Sequence, residues 1–389
     1  MLNNPENKPE NKPTEPAHDG RYIDPALGSL TGEGSQQQVT SEDPYPEHTT
    51  RDVWRQNPVQ AQQSDASPTY YERPVLKEPV WVWSIAVYFF VGGAAGAAGV
   101  LGAATQALGG RRLENLVKRC QWLAATGMIM SAFWLIYDLG RPKRFLNMLR
   151  VFRPTSPMSI GSWVLAAAGA STSAAAVLTG QRGIVRRIGN VAGYASSLPC
   201  ALIAGYTAVL ITNTVVPLWQ AVRFSLPFLF ISSAMASAGA LLELFTLNPQ
   251  EMKVVERFGA VGKIAELGLM FVVEREAAVV EQVGLPLRQG RSGNLWRASK
   301  LLNGLGLLTL LLPKRFRWRR LFGALTTCAG ALCLRFAMIE AGHASTRDPR
   351  ATFLQQRAGH GAAEVTGVAA VTGPDDARAF TAFSSPTID

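Results

Sequence analysis

Histidine, paired cysteine and charge are all scarce in this chain, and each scarcity removes a class of chemistry. Its 389 residues hold four histidines: His18, His48, His343 and His360. Three lie in polar stretches towards the two ends, and only His343 adjoins a long apolar run. A cytochrome b-type haem needs paired axial ligands, usually imidazoles, inside a helix bundle, which this set does not supply. The four cysteines, Cys120, Cys200, Cys328 and Cys333, form no CxxC pair and lie in or beside apolar runs. They read as small buried hydrophobes rather than cluster ligands. The expectation is therefore no haem and no iron–sulfur cluster in this chain. Any redox role would need a diffusible carrier such as a quinone, and a partner subunit.

Charged residues make up 17% and hydrophobic ones 48%. A mean hydropathy of +0.09 hides two populations. Residues 1–79 are acidic and rich in Pro, Glu, Gln, Asn and Ser, with few large apolar side chains. Such a segment cannot bury enough surface to offset its ordering entropy, so it reads as disordered. Residues 80–343 read as a membrane domain and 344–389 as a polar tail. No secretory signal is expected, because the first apolar run begins near Trp81; that run reads as an uncleaved membrane helix. The net charge of +10 comes from Arg and Lys clusters between apolar runs of membrane length. Topology and lipid headgroups explain those clusters better than nucleic acid does.

A span needs about 17–25 apolar residues. Eight stretches qualify, near 80–103, 119–139, 158–179, 190–213, 222–246, 257–274, 296–312 and 320–342. The expected fold is thus all-α, a polytopic bundle of about eight membrane helices between disordered tails. The first, third and fourth spans are rich in Gly, Ala and Ser, which let helices approach closely in lipid. The sixth is the most polar, with Lys263, Glu266 and the run Glu274-Arg275-Glu276. It faces a polar interior or is partly interfacial. Basic loops after spans one, three and seven fall on one side: Arg111 to Arg119, Arg182 to Arg187 and Lys314 to Arg320. The positive-inside rule makes that side cytoplasmic and puts both termini outside; the competing basic loop after span two, with Arg141, Lys143, Arg144, Arg150 and Arg153, reads as functional.

Several residues stand out chemically. Asp138 ends span two and Arg141 follows three residues on, before Pro142 stops the helix. They read either as a charged helix end at the headgroups or as a polar wall beside a quinone pocket. Ser156 and Pro157 read as N-cap and first residue of span three. Trp163 sits one turn inside. Tyr206 and Thr207 lie in the middle of span four, where a tyrosine hydroxyl suits a quinone carbonyl in an apolar pocket; packing against a backbone carbonyl is the plainer alternative. Glu243 and Glu266 are carboxyls at membrane depth, functional by default. They read as a proton path, or as partners of Lys263 and Arg335. His343 is the one histidine placed to shuttle a quinol proton.

The loop Asp138-Leu139-Gly140-Arg141-Pro142, followed by Ser156-Pro157-Met158-Ser159 and Gly161-Ser162-Trp163, resembles the NrfD/PsrC-type membrane subunits of polysulfide-reductase-like complexes. So do Tyr88-Phe89-Phe90 before a Gly/Ala run, Gly205-Tyr206-Thr207 and Ala341-Gly342-His343. The resemblance runs from about Trp81 to His343. It implies an eight-helix anchor, in a bacterial cytoplasmic membrane, that binds menaquinone or ubiquinone. It also implies a ferredoxin-like iron–sulfur partner and a molybdopterin-type catalytic subunit. Carried over, the quinone site would comprise Tyr206, Thr207, Asp138, Arg141, Ser159 and Trp163. Glu243, Glu266, Arg335 and His343 would be the proton path, and Arg144, Arg150 and Arg153 would dock the partner. Family positions at the start of the first span are polar, whereas here Val80-Trp81-Val82-Trp83-Ser84 carries no His or Asn.

Two rivals remain on sequence grounds. A proton-coupled transporter would suit the buried Glu and Arg residues, although repeated halves with broken helices are not evident. A purely structural anchor would dock a complex without binding quinone.

Overall fold

The computed structural model describes residues 22–24, 29–31, 75–138, 147–312 and 318–357. Most of the 1–79 segment and the tail beyond 357 lie outside the described residues, as do Arg141 and Arg144. Within the N-terminal segment, Tyr22–Asp24 (β1) pairs antiparallel with Ser29–Thr31 (β2). Everything else described is helical or connecting chain, with twelve α-helices.

The helices form an up-and-down bundle, as expected of an all-α membrane protein. α1 (Trp83–Leu108), α2 (Glu114–Asp138) and α3 (Pro157–Leu178) follow the first three expected spans. Ser156 caps α3, its hydroxyl accepting from the Ser159 N–H at 3.4 Å, with Pro157 in the first turn. α4 (Gly183–Ala195) and α5 (Ser197–Thr212) together make one 30-residue membrane candidate. A short α6 (Pro217–Ala221) leads into α7 (Ser225–Leu242). α8 (Pro249–Ala277) starts at an Asn248/Glu251 capping box. α9 (Glu281–Arg288), α10 (Gly290–Leu308), α11 (Trp318–Arg347) and α12 (Pro349–Arg357) complete the chain.

Among the described residues, six helical segments are long and apolar enough to cross a membrane. The other two expected spans are also helices, α8 and α10, but carry too much polarity to meet that criterion. Their polarity has a direction. α8 buries Lys263 and Glu266 while exposing Val261, Ile264 and Phe271. α10 buries Ser299 and Asn303 while exposing Leu301, Leu305 and Leu308. Water-soluble helices do the opposite. Apolar residues outward and polar ones inward is what lipid outside and a polar seam inside require.

Small residues set how closely these helices pack. A methyl at Gly96 on α1 would lie 2.6 Å from the Cys200 carbonyl oxygen and 2.9 Å from the Ala204 nitrogen on α5. A methyl at Gly239 on α7 would lie 2.6 Å from the Cα of Gly259 on α8. At both crossings backbone meets backbone, which dispersion alone can stabilise in lipid. The core is filled by Phe89, Met128, Ile203, Trp219, Phe230, Trp296 and Leu334.

The bundle has two distinct ends. One carries Asp138, the start of α1, the end of α5, α6 and the end of α11. The other carries Glu243, the end of α1, the start of α2 and the start of α11. At the Glu243 end, Glu251 accepts from the Leu116 N–H at 2.9 Å. Arg319 pairs there with Glu256 at 2.9 Å.

Candidate functional site

The end of α2 and the start of α1 meet at Asp138. The carboxylate, at the last residue of α2, accepts a hydrogen bond from Ser84 Oγ at 2.7 Å. Ser84 is fully buried in the first turn of α1. The hydroxyl thus supplies the polar partner that the apolar Val80–Trp83 stretch lacks. Trp83, Trp134 and Tyr137 cluster beside it, with Trp83 and Trp134 edge to face at 5.3 Å.

Deeper in the same end stands Tyr206. It is six residues before the end of α5, about 9 Å along the helix axis. Its ring lies over Gly161 on α3, where a methyl would come within 2.9 Å of the hydroxyl. Gly161 is the residue that leaves room for the ring. Tyr88, wholly buried on α1, lies close by. The Tyr206 hydroxyl is buried and completes no hydrogen bond among the described residues. The Thr207 hydroxyl is unpartnered in the same way. A buried hydroxyl without a partner costs about 1–3 kcal/mol. It is therefore a group waiting for an acceptor.

Ser159 and Trp163 are placed differently. Ser159 Oγ accepts from the Arg153 N–H at 3.0 Å and so holds the turn before α3. Trp163 is 39% exposed and meets Phe152 edge to face. Arg150 and Arg153 are exposed at this end, while Arg141 and Arg144 are outside the described residues.

A second polar group runs between α7, α8, α10 and α11. Glu266 is fully buried with Asn303, Ser233, Arg335 and Lys263 around it, yet neither carboxylate oxygen completes a hydrogen bond. Both side-chain polar atoms of Asn303 and the hydroxyls of Ser233, Ser299 and Thr327 are equally unpartnered. Arg335 donates from Nη2 to the Phe230 carbonyl at 3.1 Å and lies 3.8 Å from the centre of its ring. Its Nε and Nη1 are unpartnered. Lys263 Nζ donates to the Gly306 carbonyl at 3.5 Å. Glu243, 4% exposed, closes the group at the far end with Oε1 unpartnered. So many buried polar atoms in one seam call for bridging water.

His343 sits at the Asp138 end of α11. Its Nδ1 is 3.6 Å from Glu78 Oε1, and its Nε2 is buried without a partner. Glu78 also binds Arg347 through both oxygens, at 2.7 and 3.1 Å. Trp81 stacks on Trp219 at 5.4 Å. The segment ahead of α1 is thereby strapped to α11 and α6.

The structure brings Asp138 and Tyr206 to one end, and Glu243, Glu266 and Arg335 to one seam. Reading the sequence missed Ser84, Glu78 and Asn303. Asn303 had a signal, a carboxamide inside Leu301-Leu302-Asn303-Gly304-Leu305. Ser84 and Glu78 had none, since each becomes notable only through a partner far away in sequence.

A search of curated proteins gives no match to the chain. A family model described as polysulphide reductase, NrfD, matches residues 73–346, from just before the Glu78 strap to the end of α11. With its multi-pass bundle, its inward-facing charges and this match over the whole helical region, the chain belongs to the NrfD family of polysulphide reductase membrane subunits.

Proposed function

We propose that this protein is the membrane anchor of a multisubunit oxidoreductase, exchanging electrons between the quinone pool and an iron–sulfur partner that docks on the Asp138 end. Membership of the NrfD family makes a membrane subunit of a quinone-linked reductase the coarse assignment. The observation that carries the finer one is the buried, unpartnered Tyr206 hydroxyl beside Tyr88 and Gly161. A donor held in an apolar pocket fits a quinone carbonyl. Menaquinone or ubiquinone, when bound, supplies a two-electron, two-proton couple. Tyr206 would hold the carbonyl, and Ser84 would fix Asp138 as the polar rim. Arg141, Arg144, Arg150 and Arg153 would offer the partner a basic surface. The partner would carry its clusters in a ferredoxin-like fold and pass electrons to a molybdopterin-type subunit.

Proton movement is the second part of the proposal. Waters bridging Glu243, Lys263, Glu266, Asn303 and Arg335 would give a hydrated line through the bundle. His343 would exchange protons at the Asp138 end. The basic loops at the Glu243 end favour the cytoplasmic side of a bacterial inner membrane, with both termini outside.

The test is purification of the tagged protein from its membrane in mild detergent, with mass spectrometry of companions and quinone extraction. An iron–sulfur companion and bound quinone are expected. In that complex Tyr206→Phe lowers quinone-linked turnover about tenfold, the worth of one hydrogen bond of about 1.4 kcal/mol, while assembly persists. Unchanged turnover removes Tyr206 from the mechanism. Recovery of a lone chain without quinone, from membranes where the reductase is active, overturns the anchor reading.

A further inference from the structure

A cavity of about 470 Å³ opens at the Asp138 end of the bundle, between α6, the end of α8, the start of α9 and α12. No residue of the Tyr206 site or of the Glu266 seam lines it. We infer that this cavity is a binding site for a phosphoethanolamine group, supplied as the head of a zwitterionic phospholipid. The inference stands apart from the quinone reading.

Size and mouth come first. Small-molecule pockets run from about 300 to 1,000 Å³, with apolar walls and a few placed polar groups. Val283 is buried in the wall, while Val215, Phe224 and Val279 are exposed at the rim. In a bundle that meets lipid, an apolar rim around a polar cavity suits an amphiphile. Its head enters and its chains stay outside.

The wall carries charge of both signs, in Glu276 and Arg223. Glu276 accepts from Ser225 Oγ through Oε2, and as a carboxylate it can only accept. It lies in the last turn of α8, where the helix dipole adds negative potential. Gln220 Nε2 donates to the Thr212 carbonyl at 2.6 Å and to the Thr214 carbonyl at 2.5 Å. That fixes the amide and leaves its Oε1 to accept. The Thr214 hydroxyl donates to the Ile211 carbonyl at 2.6 Å, so it too has lone pairs left to offer. This side of the wall suits an ammonium.

Donors come from elsewhere. Arg223 holds its guanidinium 4.7 Å from the centre of the Phe224 ring. On α12 the Thr352 hydroxyl is buried and completes no hydrogen bond among the described residues. The Gln355 and Gln356 amides line the same cavity. Guanidinium, hydroxyl and amide are donors that a phosphate accepts from.

Such a wall selects a head that holds a cation and an anion together. A glycerol head lacks the cation. A choline head has the cation but no N–H for Glu276. An ethanolamine head brings three N–H donors for Glu276 and Gln220, with its phosphate a few bonds away.

The experiment places the full-length protein in nanodiscs of equal parts dioleoyl phosphatidylethanolamine, phosphatidylcholine and phosphatidylglycerol. Native mass spectrometry counts the lipids retained, and a phosphatidylethanolamine with a photoreactive group beside its head maps the contact. Phosphatidylethanolamine is expected to be retained at least about tenfold over either other lipid, the effect of one charge-assisted hydrogen bond. Label is expected on peptides spanning 276–283 and 352–356. Glu276→Gln keeps an acceptor for Ser225 but loses the charge, and should bring phosphatidylethanolamine down to the phosphatidylcholine level. Thr352→Val keeps the shape and should lower retention severalfold. Val279→Trp, at an exposed position, should block the rim and remove the label without disturbing the core. Weak competition by water-soluble phosphoethanolamine supports the lipid as occupant. Competition as strong as that of the lipid keeps the head chemistry but overturns the lipid source. Equal retention of the three lipids overturns the site. So does a preference for phosphatidylethanolamine that survives both Glu276→Gln and Val279→Trp. Either result leaves the proposed function standing.

Discussion

At the scale of single residues, small side chains make room for large ones in this protein. Gly161 admits the Tyr206 ring, and any side chain there must displace the ring or the helix. Gly161→Val is therefore expected to mimic Tyr206→Phe, lowering quinone-linked turnover about tenfold or more, with Gly161→Ala intermediate. Turnover of the assembled complex measures both. Ser84→Ala removes the one hydroxyl that holds Asp138 across 2.7 Å. The pair is part-buried, so the loss should be about 1 kcal/mol, read as a small drop in thermal stability in detergent. A stability equal to wild type would mean that water replaces the hydroxyl.

At the scale of elements, α8 and α10 carry the argument. Their sequences look too polar to enter a membrane, and composition alone does not count them. In their middle stretches Lys263, Glu266, Ser299 and Asn303 face inward, while Val261, Ile264, Phe271, Leu301 and Leu305 face outward. Single cysteines at Val261, Phe271, Leu301 and Leu305 should then resist a water-soluble maleimide yet react with a lipid-soluble one. Labelling by the aqueous reagent in intact vesicles would show that the two helices lie outside the bilayer. The α7–α8 crossing at Gly239 and Gly259 makes a second element-scale prediction. Gly239→Leu should force the backbones apart, since even a methyl there would lie 2.6 Å from the Gly259 Cα, and cost about 1–3 kcal/mol, the range for overpacking a tight contact. Lower yield of folded protein by size-exclusion chromatography is the expected readout.

At the scale of the whole molecule, the two ends differ in kind. The Asp138 end gathers aromatic rings, the Glu78 strap and Tyr206. The Glu243 end gathers basic loops and the Arg319–Glu256 pair. Electron transfer at one end, with a polar seam leading away from it, would couple quinone chemistry to proton movement. In proteoliposomes of the complete complex, Glu266→Gln should keep quinol oxidation but abolish the accompanying pH change. A pH change of wild-type size would show that the seam does not conduct protons. Orientation has its own test. Arg186→Cys should react with an impermeant reagent only in inverted vesicles, and Arg150→Cys only from the opposite face.

The sequence by itself determined the helical class, the membrane setting, most span positions and the family, because apolar runs of membrane length and the Asp138–Trp163 pattern are local properties. The start of α3 was legible for the same reason, since an N-cap and a first-turn proline act within four residues. Local pattern also picked out Tyr206, Glu266 and Arg335 as polar groups in apolar surroundings. Only the tertiary structure decided what those groups face. Asp138 meets Ser84 and His343 meets Glu78 across long stretches of chain. Helix rotation, set by glycine crossings, turns Lys263 and Glu266 inward together with Asn303. A cavity lined by residues such as Gln220, Glu276, Val283 and Gln355 arises where α6, α8, α9 and α12 fail to close on one another. A one-dimensional pattern records which residues a helix carries, but the side that meets lipid, a partner helix or a cavity is fixed by packing.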